Sequence, residues 1–197
     1  MSENEFITNV NELGISINND ILSKLNKYYE ILINWNNKIN LTRITDKKDV
    51  YLKHFYDSLT LIKAIDLNKE LYVCDIGTGA GFPGLVLKIV FPNLSITLVD
   101  SLEKRIKFLD LVIKELELKN IKTVHSRIEE FKEIEAFDVV VSRAVAKINI
   151  LLELGCKLPK VNGLFVFMKG NILEELKSAK NALKVLNYSL EKIINFK

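Results

Sequence analysis

Apolar residues recur at steps of three and four through 20–41, at Ile21, Leu25, Tyr28, Leu32, Trp35 and Ile39. That spacing puts them on one face of an amphipathic helix, with Asp20 as its candidate N-cap. A second stretch, 46–65, repeats the pattern through Val50, Tyr51, Phe55, Leu59, Ile62 and Ile65. Neither stripe is stable alone; each needs a surface to bury against. From Leu71 the period changes. Short apolar runs at 71–76, 96–99, 123–125, 137–141 and 164–168 read as strands, with helical segments at 83–91, 101–118, 128–131 and 148–158 between them. Strands alternating with helices predict a mostly parallel sheet covered on both faces, a doubly wound, Rossmann-like α/β layout. The expected organisation is a helical extension, 1–70, leading into one α/β unit, 71–197, within a single globular body.

Composition narrows the class. The chain has 197 residues, 48% of them hydrophobic and 27% charged, enough for one substantial core and tight for two. Cys74 and Cys156 are the only cysteines and make neither a disulfide framework nor a metal cluster, so no metal site is expected. The first residues, MSENEFITNV, are polar and acidic where a secretory signal would be basic and then apolar. No apolar run approaches the roughly 18 residues of a membrane span. These features predict a soluble cytoplasmic protein with no membrane partner. The net charge of +3 conceals an asymmetry: residues 144–197 hold nine lysines against four glutamates, more than the whole excess. A solvated lysine-rich face and an anion-binding patch both fit that charge.

The densest chemical signal is Asp75-Ile-Gly77-Thr-Gly79-Ala-Gly81-Phe82-Pro-Gly84, between a predicted strand and a predicted helix. Such a loop turns sharply and lets a ligand approach the backbone. The match to G-x-G-x-x-G admits a dinucleotide, S-adenosylmethionine, or a tight turn with no ligand. Asp75 weighs against a pyrophosphate, whose charge it would oppose in a partly dry site, and favours a cationic sulfonium or ammonium. Asp100 ends the second strand, where an acidic group suits the ribose hydroxyls of either cofactor. After the third strand, the Ile128 N–H and the Glu129 carboxylate are placed to read an adenine edge. Otherwise Glu129 and Glu130 are first-turn carboxylates favoured by a helix dipole.

The fourth strand ends Val141-Ser142-Arg143-Ala144, without the Asn or Asp and prolines that methyl transfer to an exocyclic amine uses. Cys74 and Cys156 fall in a strand and a helix, as small apolar residues rather than nucleophiles. An acceptor needing no activation remains, and guanine N7 is one, with a lone pair and no proton to remove. Catalysis is then positioning, and no general base is expected. Arg143 suits an adenosine, a guanine edge, a phosphate, or a structural ion pair with Asp75 or Asp100. His54 and His125 read as packing or surface residues. A methyltransferase acting on another RNA or a small molecule, a nicotinamide-dependent dehydrogenase and a non-enzymatic nucleotide sensor are the alternatives.

Trp35-Asn36, Asn40-Leu-Thr42 and His54-Phe-Tyr-Asp57-Ser-Leu59 resemble the N-terminal signature of the glucose-inhibited division protein B family. The glycine loop, Val99-Asp-Ser-Leu102 with Lys104-Arg105, the loop 125–130, Ser142-Arg-Ala-Val-Ala146 and Lys169-Gly170 resemble its later motifs, in the same order. Members of that family are bacterial small-subunit rRNA guanine-N7 methyltransferases using S-adenosyl-L-methionine. The resemblance implies cofactor contacts at Gly77, Phe82, Ile128, Glu129 and Arg143, beside Gly79 and Asp100 from the loop and strand ends. It implies a target in the 530 loop of 16S rRNA, met as RNA or as small ribosomal subunit by a monomer. Lys147 and Lys169 then become candidate phosphate contacts. Ile128 stands where the family usually has alanine, a change a backbone contact tolerates. Methyltransferases of this fold close their sheet with an antiparallel strand pair. Residues 188–196 offer one strand of it, so the sheet is expected to lack its C-terminal edge.

Overall fold

The computed structural model describes residues 1–170 and 172–195. Its centre is a five-stranded, wholly parallel sheet: β1 (Tyr72–Ile76), β2 (Ser95–Asp100), β3 (Ile121–His125), β4 (Phe137–Arg143) and β5 (Pro159–Met168). The spatial order is β3-β2-β1-β4-β5, so the chain reverses direction across the sheet between β1 and β4. That reversal opens a crevice at the carboxyl ends of the two strands, where ligands bind in such sheets. Cys74 pairs with Thr97 on one side and Val140 on the other, which fixes the register at the centre.

The expected strands and intervening helices are present, with shifted ends. Helix α5 (Gly84–Val90) is buried at every position, because the sheet covers one side and the N-terminal helices the other. Helices α6 (Glu103–Glu115) and α7 (Ile148–Gly155) follow β2 and β4, while 128–131 is only a short 3₁₀ turn, Ile128–Glu130. The C-terminus adds helix α8 (Leu173–Val185), for which the sequence reading makes no prediction, and 188–195, expected as a strand, forms none; Phe196 lies outside the described residues. Among the described residues the sheet ends at β5 with no antiparallel pair beyond it. Tyr188 instead donates from its hydroxyl to Cys156 O at 2.9 Å and packs edge-on against Phe165.

The N-terminal third is α1 (Glu3–Glu12), α2 (Asn19–Ile39), α3 (Lys47–Val50) and α4 (Asp57–Leu59). Asn18, not Asp20, caps α2, accepting from Ile21 N at 2.8 Å. The second predicted helix is broken: a π-helical stretch, Tyr51–Tyr56, joins α3 to α4, and a 3₁₀ turn, Thr60–Lys63, ends it. One continuous core runs from Phe6 and Leu32 through Phe55 and Leu85 to Val141. Burial of each such Leu or Phe contributes about 1.5–3 kcal/mol, so helices and sheet stabilise one another. Tyr28 is the keystone. Its ring lies 5.6 Å from Phe55 and 5.5 Å from Phe82, and its hydroxyl donates to Ala80 O in the glycine loop.

Candidate active site

The glycine loop is held from beneath by two carboxylates. Asp75, fully buried at the centre of the sheet, accepts through Oδ2 from Thr78 Oγ1 at 2.6 Å and Gly84 N at 2.8 Å. Burial pushes its pKa up to about 6 despite those bonds, and Oδ1 has no partner among the described residues. Asp75 therefore shapes the loop from behind rather than lining the cleft, a correction to its reading as a direct contact for the cofactor's cationic end. Asp100 accepts through Oδ2 from Gly79 N at 2.9 Å and Arg105 at 3.1 Å, and through Oδ1 from Leu102 N at 3.0 Å. The ribose-facing expectation for Asp100 is thus modified: its carboxylate fixes the loop and the start of α6.

Gly77 and Gly79 lie at φ +66° and +61°, where a side chain is strained. A Cβ on Gly77 would strike Val145 Cγ2 at 2.5 Å, whereas one on Gly79 would meet no heavy atom closer than 4.0 Å. The open side of Gly79 suits close approach of a ligand to the backbone. Gly84 is the opposite case, with a Cβ placed 2.3 Å from Leu98 Cδ2 and 2.8 Å from Asp75 Oδ2. Both neighbours are fully buried, so Gly84→Ala is expected to cost about 1–3 kcal/mol by overpacking. A lowered urea midpoint at unchanged slope checks this, and an unchanged midpoint refutes it.

A cleft of about 710 Å³ lies over the loop. Gly77, Gly79, Phe82, Asp100, Ile128, Glu129 and Arg143 all line it, so the seven proposed cofactor positions converge on one space. At its β2–β3 end, the described residues supply no acceptor for the Ile128 N–H, and Glu129 is half-exposed beside Arg127. The other end is built by the helical extension. Phe82 stacks on the His54 ring at 4.3 Å, and the Arg143 guanidinium lies 5.1 Å from the Phe82 centroid. Arg143 donates to Asp57 Oδ2 at 2.7 Å, Lys53 O at 3.2 Å and His54 Nδ1 at 3.2 Å. The structural ion pair weighed as one alternative for Arg143 is thus made, but with Asp57 rather than Asp75 or Asp100. Burial, helped by Arg143, holds the His54 pKa down to about 4.

Sequence reasoning missed this half of the cleft. His54 is neither surface nor mere packing, and Thr42 lines the same wall. The signal was the pair of N-terminal motifs, which carried no visible role until the fold brought them against Arg143. Lys147 is exposed at the start of α7. Lys169 is turned inward, its ammonium 3.1 Å from Glu175 and donating to Ala146 O, so the phosphate contact expected of it does not fit its placement. Removing it should loosen the docking of α8 without touching RNA affinity. Lys169→Ala is expected to cost about 1–3 kcal/mol by leaving Glu175 and Ala146 O short of a partner. Urea unfolding and an RNA salt titration on that variant check both halves.

The parallel sheet, the glycine loop and the cleft at the strand reversal define an S-adenosylmethionine-dependent methyltransferase fold. A methyltransferase of that kind from Aquifex aeolicus superimposes with a TM-score of 0.60 at 19% identity, over 79% of this chain and 90% of that one. An O-methyltransferase from Thermotoga maritima gives 0.56 at 18% identity, over 78% and 55%. Residues 21–197 match the GidB family, described as rRNA small subunit methyltransferase G, and the chain belongs to that family. The ribosomal RNA small subunit methyltransferases G of Bacillus velezensis and Bacillus subtilis are 48% and 47% identical to it, over the whole of this chain and 84% of their own length. Among the described residues no helix is long and apolar enough to cross a membrane.

Proposed function

We propose that the protein methylates N7 of a guanine in the 530 loop of 16S rRNA. Family membership supports the RNA substrate, and one feature of the cleft supports the atom. Its buried titratable groups are engaged with one another: Asp100 with Arg105 and Gly79, and both His54 ring nitrogens within the wall. Among the described residues the one other carboxylate of the lining, Glu129, stands at the adenine end beside Arg127, which suits a methyl acceptor that carries a lone pair and has no proton to lose.

Bound S-adenosylmethionine supplies an electrophilic methyl on a sulfonium. The chain's residues do the positioning. The glycine loop receives the cofactor at Gly77 and Gly79, with Phe82 and Arg143 walling one end. Asp100 fixes the loop, and Ile128 N–H and Glu129 serve the adenine. The half-buried walls exclude water, so alignment of lone pair and methyl carries the rate.

Small-subunit RNA from cells lacking the enzyme should accept labelled methyl from S-adenosylmethionine, with the label mapping to guanine N7. Label absent from any guanine N7 overturns the proposal. Lys147, exposed beside the cleft residue Val145, is a phosphate contact in this reading. Lys147→Ala should weaken RNA binding and flatten the dependence of log affinity on log salt by about one unit, sparing S-adenosylhomocysteine affinity. An unchanged slope removes Lys147 from the RNA surface.

A further inference from the structure

Thr42 sits at the cleft wall in a loop held at several points. Asn40 turns the chain out of α2 at φ +48°, Asn36 Oδ1 accepts from Thr42 N at 2.8 Å, and Tyr29 donates to Thr45 O at 3.0 Å. The Thr42 hydroxyl has two neighbours inside the protein, Ile44 N at 3.1 Å and His54 Nε2 at 3.0 Å. Ile44 N–H can only donate. The direction of the His54 bond follows from the other side of the ring. Arg143 carries donors and no acceptor, so its contact with Nδ1 requires a lone pair there. Lys53 O, 3.1 Å from Nδ1, would bond only to a hydrogen there, which the charged guanidinium donor facing the same nitrogen excludes; Lys53 O accepts from Arg143 at 3.2 Å. With Nδ1 an acceptor and the ring neutral, Nε2 carries the hydrogen and donates to Thr42 Oγ1.

Both lone pairs of Oγ1 are then occupied, and its O–H is the one hydrogen-bonding element left for the cleft. A hydroxyl ordinarily donates or accepts as required; this one can only donate. We infer that Thr42 is a specificity-determining residue, donating its hydroxyl to O6 of the target guanine while N7 faces the methyl. Guanine and adenine both present a lone pair at N7. They differ beside it, where guanine offers the O6 acceptor and adenine the N6 amino donor. An obligate donor accepts the first and meets the second donor against donor. Arg143, through His54, thus sets the polarity of a hydroxyl it does not touch.

The inference deepens the guanine-N7 reading and rests on it. The test pairs a protein change with a substrate change. RNA substrates ligated with guanosine or 2-aminopurine at the methylated position differ at C6, where 2-aminopurine lacks the oxygen. Wild type on guanosine must first place its methyl at N7; failure there sinks the parent reading and this one with it. Given that, kcat/KM should fall at least tenfold on 2-aminopurine. Thr42→Val should lose a similar factor on guanosine yet little more on 2-aminopurine, because the contact is already gone. Thr42→Ser, which retains the hydroxyl, should stay within about threefold of wild type on guanosine, and S-adenosylhomocysteine affinity should be unchanged in both variants. Losses that simply multiply, or a Thr42→Val defect in S-adenosylhomocysteine binding of the same size, overturn the assignment. Should Thr42→Val not fold, equal wild-type rates on the two RNAs overturn it, and a tenfold preference for guanosine matched by Thr42→Ser upholds it.

Discussion

Arg143→Ala is expected to lower kcat/KM by about a hundredfold and weaken S-adenosylhomocysteine binding at least tenfold, the sum of two or more lost charge-assisted contacts. One guanidinium joins β4 to the helical extension through Asp57, Lys53 O and His54, and covers the face of Phe82. Its side chain is 14% exposed while that of Asp57 is 46% exposed, so the ion pair itself contributes modestly. The larger loss is geometric, since Phe82 and His54 lose the group that orders them. A stability cost of about 1–3 kcal/mol corresponds to a melting point lower by about 3–10 °C. Arg143→Lys keeps the charge without the fork and should recover stability better than activity. The His54 titration gives a separate readout. The folded pKa of about 4 lies below the ordinary 6.5, so the unfolded chain binds the extra proton between those values. His54 therefore contributes stability above pH 6.5 that is lost as pH falls toward 4. Without Arg143 the folded pKa should rise, burial alone then holding it down, and that window should narrow. An NMR titration showing no movement of His54 would break the proposed coupling.

Those consequences were only partly legible in the sequence. The five strands and the glycine loop could be read because β1, β2 and β4 are largely buried on both faces and give short, mostly apolar runs. Helix α8 could not, since its buried positions are Ala179 and Ala182 while Leu173 and Val185 point to solvent. Leu176 and Leu183 share the inner face with those alanines but are only partly covered, and the exposed Leu173 and Val185 blur the stripe. The run 188–195 alternates like a strand but finds no edge to pair with, and Tyr188 packs on Phe165 instead. The site divides in the same way. Gly77, Gly79, Phe82, Asp100, Ile128, Glu129 and Arg143 were legible because each follows or ends a strand, where topology alone predicts convergence. Thr42, His54 and Asp57 lie in the helical third, and no spacing rule relates them to Arg143, 86 residues beyond Asp57 in sequence. Lys169 misled for a different reason: net charge does not distinguish a solvated lysine from one paired with Glu175.

Asp75→Ala should disable the cleft without altering any residue that lines it, reducing S-adenosylhomocysteine affinity at least tenfold. Asp75 is the acceptor for Thr78 Oγ1 and Gly84 N, and removing it leaves two buried donors unpaired at about 1–3 kcal/mol each. The loop between them carries Gly79, whose backbone must stay open to ligand. Asp75→Asn separates shape from charge, because a carboxamide oxygen can still accept both bonds. Binding should be largely retained in Asn and lost in Ala; equal losses would mean that the charge, not the acceptor, holds the cofactor. The pH dependence of stability tests the same carboxyl independently. Its folded pKa, near 6, lies above the ordinary 3.8, so the native state binds the extra proton between those values. Asp75 contributes stability below pH 3.8 that is lost as pH rises through 6. That is opposite in sign to His54, and the two offset each other in the wild-type profile. The difference between wild type and Asp75→Asn exposes the hidden slope: wild type should lose about 2–3 kcal/mol relative to the variant from pH 4 to pH 7. A difference that stays flat across that range would mean Asp75 titrates normally and that its burial imposes no charge penalty on the loop.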